Sequence, residues 1–180
     1  MELLKTERLI LREWEESDEE ALIEIAVQDH IRYWLPDWDD CASWALLWIK
    51  GTVQLGYKIN NPFEHFMTWA ITLKDTGTLI GMINIGGDEF ENKEVGIGYF
   101  IDKRYSNNGY ITEAVKNFIK YIFRTYKYDY IVATVQPENF ASIAVVKKAG
   151  FELIKTIMSF GGGRTVAVPK NYYKLYYQYV

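Results

Sequence analysis

Two glycines stand two residues apart inside a run of apolar and β-branched residues that has the pattern of a strand. Gly96 and Gly98 interrupt the run from Glu94 to Ile101, and side chains two positions apart lie on the same face of a strand. Glycine weakens a strand interior, so this pair indicates either a bulge or a group that approaches the backbone closely. The alternative is that the glycines only admit a large neighbouring side chain.

The loop from Ser106 to Gly109 contains small polar residues and leads directly into a helical pattern at residues 112–126. A helix N-terminus presents unpaired N–H groups and the positive end of a dipole, so it attracts anions, and small residues let a phosphate approach the backbone. No Walker lysine follows the glycine and the Rossmann spacing of glycines is absent, so an ATP or NAD site is not expected. Simple helix capping is the alternative.

The whole sequence has the composition of one globular domain, residues 1–180, with 49% hydrophobic and 24% charged residues. Its net charge is -4 and no run of Lys or Arg occurs, which argues against nucleic-acid binding. Cys41 is the single cysteine, and His30 and His65 are the only histidines, so neither an internal disulfide nor a zinc site is expected. No apolar signal segment follows Met1 and no apolar run is long enough to span a bilayer, so we expect a cytoplasmic protein without membrane contact.

The elements in the first half of the chain follow from apolar spacing and turn residues. A strand is predicted at residues 4–13, followed by a short helix that starts at a capping box with Ser17 as N-cap and Glu20 three residues later. A second helix is predicted from residue 41 to Gly56. Three runs with strand pattern then predict an antiparallel meander, at 65–73, 79–85 and 94–101.

The second half of the chain predicts a strand–helix–strand unit. A helix at 112–126 connects the strand at 94–101 to a short apolar strand at 130–135, an order that implies a right-handed crossover and a parallel pair. The remaining elements are a helix and two strands, predicted at 142–149, 151–160 and 166–179. The predicted fold class is a mixed α/β sheet.

These features together resemble the acetyl-coenzyme A site of the GNAT family of N-acetyltransferases, and within it the RimJ/RimL branch that acetylates ribosomal proteins. The matching segments follow the family's order and spacing over nearly the whole chain: Thr6–Leu9, Leu11 and Arg12, Gly98 and Tyr99, Gly109–Ala114, Asn139, Ser142 and Lys148–Phe151. The chain departs from the pattern at Ser106, where the family usually carries Arg or Gln, and at Ile111, where it usually carries Gly or Ala. Because the pattern uses main-chain N–H groups, neither change removes the site.

The resemblance implies a GNAT fold, in which antiparallel strands carry a central parallel pair splayed around acetyl-CoA. It implies that backbone groups of Tyr99, Phe100 and Ile101 pair with the pantetheine arm as an added strand would. It assigns the pyrophosphate to the loop and the helix start, which are Ser106, Asn107, Asn108, Gly109, Tyr110, Ile111 and Thr112. Asn139 and Ser142 are expected beside the pantetheine and its thiol, and no metal is expected to take part.

The resemblance also implies direct attack of a primary amine on the thioester, in which the amine loses a proton and the departing thiolate gains one. The branch often carries a Glu at the position of Gly96, and Glu94, two residues earlier on the same strand face, is the predicted general base in its place. Many relatives carry a Tyr at the position of Val146, and Ser142 is the predicted proton donor here. The alternatives are a solvated Glu at a strand start and a serine that bonds within the first helix turn.

The sequence leaves the acceptor open between a peptide N-terminus and a small amine such as an aminoglycoside or a polyamine. Four tryptophans between residues 34 and 48, together with Asp37, fall in the expected acceptor region, where rings and a carboxylate suit a cation. Packing of the helix pair is the alternative explanation for the tryptophans. A non-catalytic acyl-CoA-binding module is the third alternative, because of Gly96 and Val146. A homodimer is compatible with the aromatic strands near the C-terminus.

Overall fold

The computed structural model describes residues 3–87, 94–160 and 165–179. Over these residues the strands of a single sheet are β1 (Leu4–Lys5), β2 (Leu9–Arg12), β3 (Met67–Leu73), β4 (Leu79–Gly87), β5 (Val95–Ile101), β6 (Tyr130–Val135), β7 (Glu152–Ser159) and β8 (Val168–Tyr176). Their order across the sheet is β1-β2-β3-β4-β5-β6-β8-β7. The α-helices are α1 (Glu19–Ala26), α2 (Asp29–Arg32), α3 (Cys41–Trp48), α4 (Gln54–Ile59), α5 (Tyr110–Tyr126) and α6 (Phe140–Lys148).

The strand pair β5 and β6 is parallel, and the other described neighbours in the sheet are antiparallel. α5 connects the parallel strands, as the strand–helix–strand order predicts, because parallel strands need a crossover connection. The register between β5 and β6 consists of the pair Gly96 and Val132. The prediction of a mixed α/β sheet with a central parallel pair is confirmed.

Helices cover both faces of the sheet, which follows from the alternation of side chains along each strand. α5 packs its apolar side on one face, where the rings of Phe118 and Trp69 of β3 lie 4.8 Å apart. α1 and α3 cover the opposite face, and Leu22 and Ala45 are buried there with Phe100 of β5. Consecutive residues of the middle strands therefore belong to two different cores.

The first helix starts differently from its prediction. The capping box forms between Glu15 and Asp18, at a 3-10 turn (Glu16–Asp18) that leads into α1, and not between Ser17 and Glu20. Asp18 is buried because its carboxylate accepts two 2.7 Å hydrogen bonds from the guanidinium of Arg12 in β2. A tertiary contact therefore selects this helix start over the one that local spacing favours.

The second helix runs past its predicted end at Gly56. α3 continues through a π-helical turn, Ile49–Val53, into α4, and Asn60 ends that helix in the left-handed conformation with φ 52°. Gly56 instead permits a close approach, because a Cβ there would lie 2.4 Å from the carbonyl oxygen of Phe66. The glycine marks a contact between α4 and the chain before β3.

Candidate functional site

A cavity of about 980 Å³ lies where β5 and β6 separate. Its walls include Tyr99–Ile101 of β5 and Ala133–Val135 of β6, which are the carboxyl ends of the two parallel strands. The strands are in register at Gly96 and Val132, so they diverge beyond that pair and leave room between them. The volume is at the upper end of the range for small-molecule sites, so a large ligand fits.

Most of the residues predicted to bind the cofactor line this cavity. They are Tyr99, Phe100, Ile101, Ser106, Asn107, Gly109, Tyr110, Ile111, Thr112, Asn139 and Ser142. Asn108 belongs to the same loop but is not a wall residue, and its carbonyl oxygen lies 3.0 Å from Nη1 of Arg8. Glu94 is not a wall residue either.

The loop before α5 has a conformation that few residue types adopt. Asn107 and Gly109 have positive φ angles of 63° and 78°, and α5 starts at Tyr110, two residues earlier than predicted. Over the described chain, the backbone N–H groups of residues 107–112 donate no hydrogen bond to protein. An ordinary helix start leaves the N–H groups of its first turn unpaired. This loop adds the unpaired N–H groups of residues 107 and 108. Such a row of donors at the positive end of a helix dipole favours an anion.

The start of α6 presents Ser142 to the cavity. Asn139 caps this helix, and its side-chain oxygen accepts a 3.1 Å hydrogen bond from the Ser142 N–H. The Tyr99 hydroxyl of β5 donates to the Ser142 carbonyl at 3.2 Å. Burial raises the pKa of Tyr99, so its hydroxyl keeps its proton and this bond at neutral pH. Asn139 and Tyr99 therefore fix the backbone of Ser142 beside the sheet.

His30 is a wall residue that the sequence pattern does not indicate. Its Nε2 lies 2.9 Å from the carbonyl oxygen of Ile101, and its Nδ1 is buried without a hydrogen-bond partner in the part of the chain that the structure describes. The two residues are 71 positions apart, so no local spacing connects them. The Ile101 carbonyl, at the end of β5, therefore already has a partner within the protein.

The side chain of Asn84 explains why Gly98, one of the two strand glycines, is a glycine. A Cβ at this position would lie 2.9 Å from the side-chain oxygen of Asn84 in β4, and Asn84 also lines the cavity. The missing side chain leaves room for this amide at the cavity wall. The interpretation that the glycine admits a neighbouring side chain is therefore correct for Gly98.

Glu94 lies just before β5, among polar side chains of β6 and β8. Its carboxylate accepts hydrogen bonds from the Tyr130 hydroxyl at 2.8 Å and from the Tyr172 hydroxyl, and Nζ of Lys174 lies 3.0 Å away. Burial alone would raise the pKa of Glu94, but these donors and the charge of Lys174 lower it below its ordinary value. The carboxylate is therefore ionised at neutral pH.

Another part of the cavity wall is aromatic. Its rings are those of Trp34, Trp38, Trp44, Trp48 and Phe66. The centroid of Trp38 lies 5.0 Å from that of Trp44, in an edge-to-face arrangement. Asp37 and Lys170 also line the cavity; partial burial raises the pKa of Asp37, and the nearby charge of Lys170 opposes this shift. This part of the cavity combines an apolar surface with groups of both charges.

The family model of the GNAT acetyltransferase domain matches residues 8–152. The chain belongs to the GNAT acetyltransferases. Its relative YnaD of Bacillus subtilis (strain 168), an N-acetyltransferase, is 28% identical over 147 residues, which are 82% of this chain and 81% of the relative.

Solved structures that share the fold of this GNAT protein include two in complex with coenzyme A or acetyl-CoA. RimL, a ribosomal L7/L12 alpha-N-protein acetyltransferase in complex with coenzyme A, has a TM-score of 0.77 and 18% identity, with 97% of this chain and 98% of that chain covered. The microcin C7 self-immunity acetyltransferase MccE, in complex with acetyl-CoA and AMP, has a TM-score of 0.75 and 18% identity, with 95% and 93% covered. The mixed sheet with its splayed parallel pair is thus the GNAT fold, as the sequence resemblance implied.

Among the residues described, no group of three or more His, Cys, Asp or Glu side chains is arranged to hold a metal ion. No described helix is both long and apolar enough to cross a bilayer.

Proposed function

We propose that this GNAT protein transfers the acetyl group of acetyl-CoA to a primary amine. The observation that carries the proposal is the row of unpaired N–H groups at residues 107–112, which borders a cavity large enough for the cofactor. The coenzyme A in RimL and the acetyl-CoA in MccE support the same ligand for this chain.

The chain's own groups fit the successive parts of acetyl-CoA. Residues 107–112 offer main-chain donors to the pyrophosphate. The backbone of Tyr99–Ile101, apart from the Ile101 carbonyl that His30 already contacts, offers strand-like pairing to the pantetheine. Asn139 and Ser142 form part of the same cavity wall, where the thiol end is expected. When bound, the thioester supplies the activated acetyl group.

Proton transfer is assigned to the two side chains that the sequence singles out. We propose that the Ser142 hydroxyl donates a proton to the departing thiolate and regains one from water in the cavity, since Ser142 lines the cavity and its backbone is fixed. We propose that Glu94 receives the proton of the amine. Because Glu94 is not a wall residue, it acts through water on the strand face that carries Gly96, toward the Asn84 amide that occupies the space over Gly98 at the cavity wall.

The amine of a polypeptide N-terminus is the acceptor we propose first, in view of the RimL relative that acts on ribosomal L7/L12. A small cationic amine is the second candidate, and Asp37 favours it. This carboxylate lies in a wall rich in tryptophan, and both a carboxylate and aromatic rings stabilise a positive charge.

The decisive experiment is calorimetric titration of the purified protein with acetyl-CoA, for the wild type and for Gly109→Pro. The wild type should bind, and the variant should lose binding, because proline removes an N–H of the row and cannot adopt the φ of 78°. Gly77→Pro is the matched control, since Gly77 also has a positive φ, of 73°, and does not line the cavity. Circular dichroism checks that each variant is folded.

The possible outcomes separate the alternatives. If the wild type does not bind acetyl-CoA, the proposed function is wrong. If it binds without releasing thiol in the presence of any amine, the chain is an acyl-CoA-binding module. Thiol release with a free peptide N-terminus, compared with the same peptide acetylated and with a polyamine, identifies the class of acceptor.

A further inference from the structure

Arg8 connects the beginning of the chain to the loop before α5. It lies in the turn between β1 and β2, where the predicted first strand is interrupted. Its Nη1 donates to the carbonyl oxygen of Asn108 at 3.0 Å, across 100 positions of sequence. Its guanidinium carbon lies 4.3 Å from the ring centroid of Tyr110, the first residue of α5. One side chain therefore contacts both the loop and the helix start.

Glu113 holds Arg8 in this position. Its Oε2 accepts a 2.7 Å hydrogen bond from Nε of Arg8, and its Oε1 accepts bonds from the Arg8 N–H at 2.9 Å and the Thr6 hydroxyl at 2.5 Å. Burial alone would raise the pKa of Glu113, but these donors and the charge of Arg8 lower it, so the carboxylate is ionised at neutral pH. We call Thr6, Arg8, Asn108 and Glu113 the Arg8 network.

The bond from Arg8 to Asn108 sets the direction of a donor in the loop. The carbonyl of Asn108 and the N–H of Gly109 belong to one planar trans peptide, so they point in opposite directions. When Arg8 holds the carbonyl on its own side, the Gly109 N–H points away from Arg8. This N–H belongs to the unpaired row, and Gly109 lines the cavity. The bond thus opposes rotation of this peptide and loss of the donor row.

The backbone of the loop has an unusual conformation. Asn107 is left-handed, a conformation that glycine and, less readily, asparagine adopt, and it stands only two positions before Gly109, which is also left-handed. The other side-chain hydrogen bonds of the loop, among the residues described, are local: Nδ2 of Asn108 donates to the Ser106 carbonyl, and Oγ of Ser106 donates to the Asp102 carbonyl. Arg8 ties the loop to the sheet from outside.

We propose that Arg8 is a positioning residue for cofactor binding, which holds the loop at 106–109 in the conformation that presents its N–H groups to the pyrophosphate. The proposal rests on the proposed function, because it assumes that acetyl-CoA binds at this loop. It predicts a selective effect: loss of Arg8 weakens binding of ligands that carry the pyrophosphate and spares ligands that lack it.

Arg12 provides a matched control within the same hairpin. Its guanidinium makes a comparable pair with Asp18, through bonds of 2.7 Å from Nη1 and Nη2, but neither residue lines the cavity. Replacing Arg12 removes a guanidinium–carboxylate pair and leaves the loop untouched. Arg8→Lys keeps the charge but loses the fixed fork of donors, so it should lie between the wild type and Arg8→Ala.

The test measures dissociation constants of acetyl-CoA and of S-acetylpantetheine, which lacks the pyrophosphate, for the wild type, Arg8→Lys, Arg8→Ala and Arg12→Ala. Arg8→Ala should bind acetyl-CoA about tenfold more weakly, the effect of one charge-assisted hydrogen bond, and bind S-acetylpantetheine as the wild type does. Arg12→Ala should lower the melting temperature without changing either affinity.

Three results would overturn the proposal. The first is a wild-type affinity of Arg8→Ala for acetyl-CoA. The second is that Arg8→Ala binds acetyl-CoA and S-acetylpantetheine more weakly by the same factor. The third is that Arg12→Ala loses as much affinity for acetyl-CoA as Arg8→Ala does. If Arg8→Ala does not fold, Arg8→Lys decides the question by the same comparison. Failure of the wild type to bind acetyl-CoA is a different result, since it removes the proposed function itself.

Discussion

Glu94, Gly96 and Gly98 lie on one strand face, two residues apart from each other. Of the three, only Gly98 lines the cavity. Its partners Tyr130, Tyr172 and Lys174 come from β6 and β8, so the same carboxylate joins three strands. Because its pKa is lowered from an ordinary value of 4.5, the ionised group stabilises the fold above that pH, and the contribution is lost as pH falls through the lowered pKa.

Replacing Glu94 with Gln should affect both turnover and stability. We expect kcat for thiol release to fall by about a hundredfold near pH 7, the lower end of what a general base contributes. We expect the free energy of unfolding to fall by roughly 2 kcal/mol, because Lys174 and two tyrosine hydroxyls lose a charged partner. Steady-state kinetics and urea unfolding measure the two effects.

Tyr130→Phe separates the chemical role of Glu94 from its structural role. The variant keeps the carboxylate and removes one of the donors that lower its pKa, so the pKa of Glu94 should rise. If Glu94 accepts the proton, the acid limb of the kcat/KM profile moves to higher pH in Tyr130→Phe. Wild-type kcat in Glu94→Gln, with only stability reduced, would leave Glu94 a structural residue.

At the scale of elements, the continuous helix from α3 through the π-turn to α4 packs against the chain before β3 at Gly56. Gly56→Ala should lower the free energy of unfolding by about 1–3 kcal/mol, because its Cβ would lie 2.4 Å from the backbone carbonyl oxygen of Phe66. This cost should exceed the gain of roughly 1 kcal/mol that alanine brings to a helix. Urea unfolding of the variant and the wild type measures the difference.

Gly51 is the control for this prediction. It lies in the π-turn of the same continuous helix, and a Cβ there would meet nothing within 4 Å. Gly51→Ala should therefore leave stability unchanged or raise it slightly. Equal effects of the two substitutions would show that helix propensity, and not contact with Phe66, governs both positions.

The same elements show what sequence patterns can and cannot predict here. The parallel pair follows from the order of the strand at 94–101, the helix at 112–126 and the strand at 130–135, since the crossover rule needs no tertiary detail. The start of α1 does not follow, because Arg12 draws Asp18 into a buried pair that local spacing does not contain. Short-range signals are reliable where no side chain from another element competes with them.

The same distinction between local signals and long-range contacts applies to the residues of the site. The loop at 106–109 is visible in sequence because small residues and a helix start are neighbours in the chain. The contacts of His30 with Ile101 and of Arg8 with Asn108 span 71 and 100 positions, and only the folded sheet brings these residues together. The proposed cofactor loop is therefore visible in the sequence, whereas the contacts that His30 and Arg8 make from distant segments are not.

At the scale of the whole molecule, the sheet ends in a strand with an open edge. β7 is the last strand in the sheet order, and among the residues described it pairs with β8 alone. Met158 and Phe160 expose 64% and 60% of their surface, and Leu153 exposes 54%. An edge strand that exposes several apolar side chains favours pairing with another chain, and a second copy offers the same edge for an antiparallel match.

We therefore predict a concentration-dependent homodimer that pairs through β7, and we expect Met158→Lys to shift it to the monomer. The lysine would place a charge on the strand edge and would cost the apolar contact of Met158, so the dissociation constant should rise by at least about tenfold. Sedimentation velocity over a hundredfold range of concentration measures the shift.

Leu47→Lys is the control, because Leu47 is 72% exposed on α3 and does not belong to the edge strand. If Met158→Lys and Leu47→Lys dimerise alike, β7 is not the interface, and if the wild type stays monomeric throughout, its apolar edge tolerates solvent without a partner.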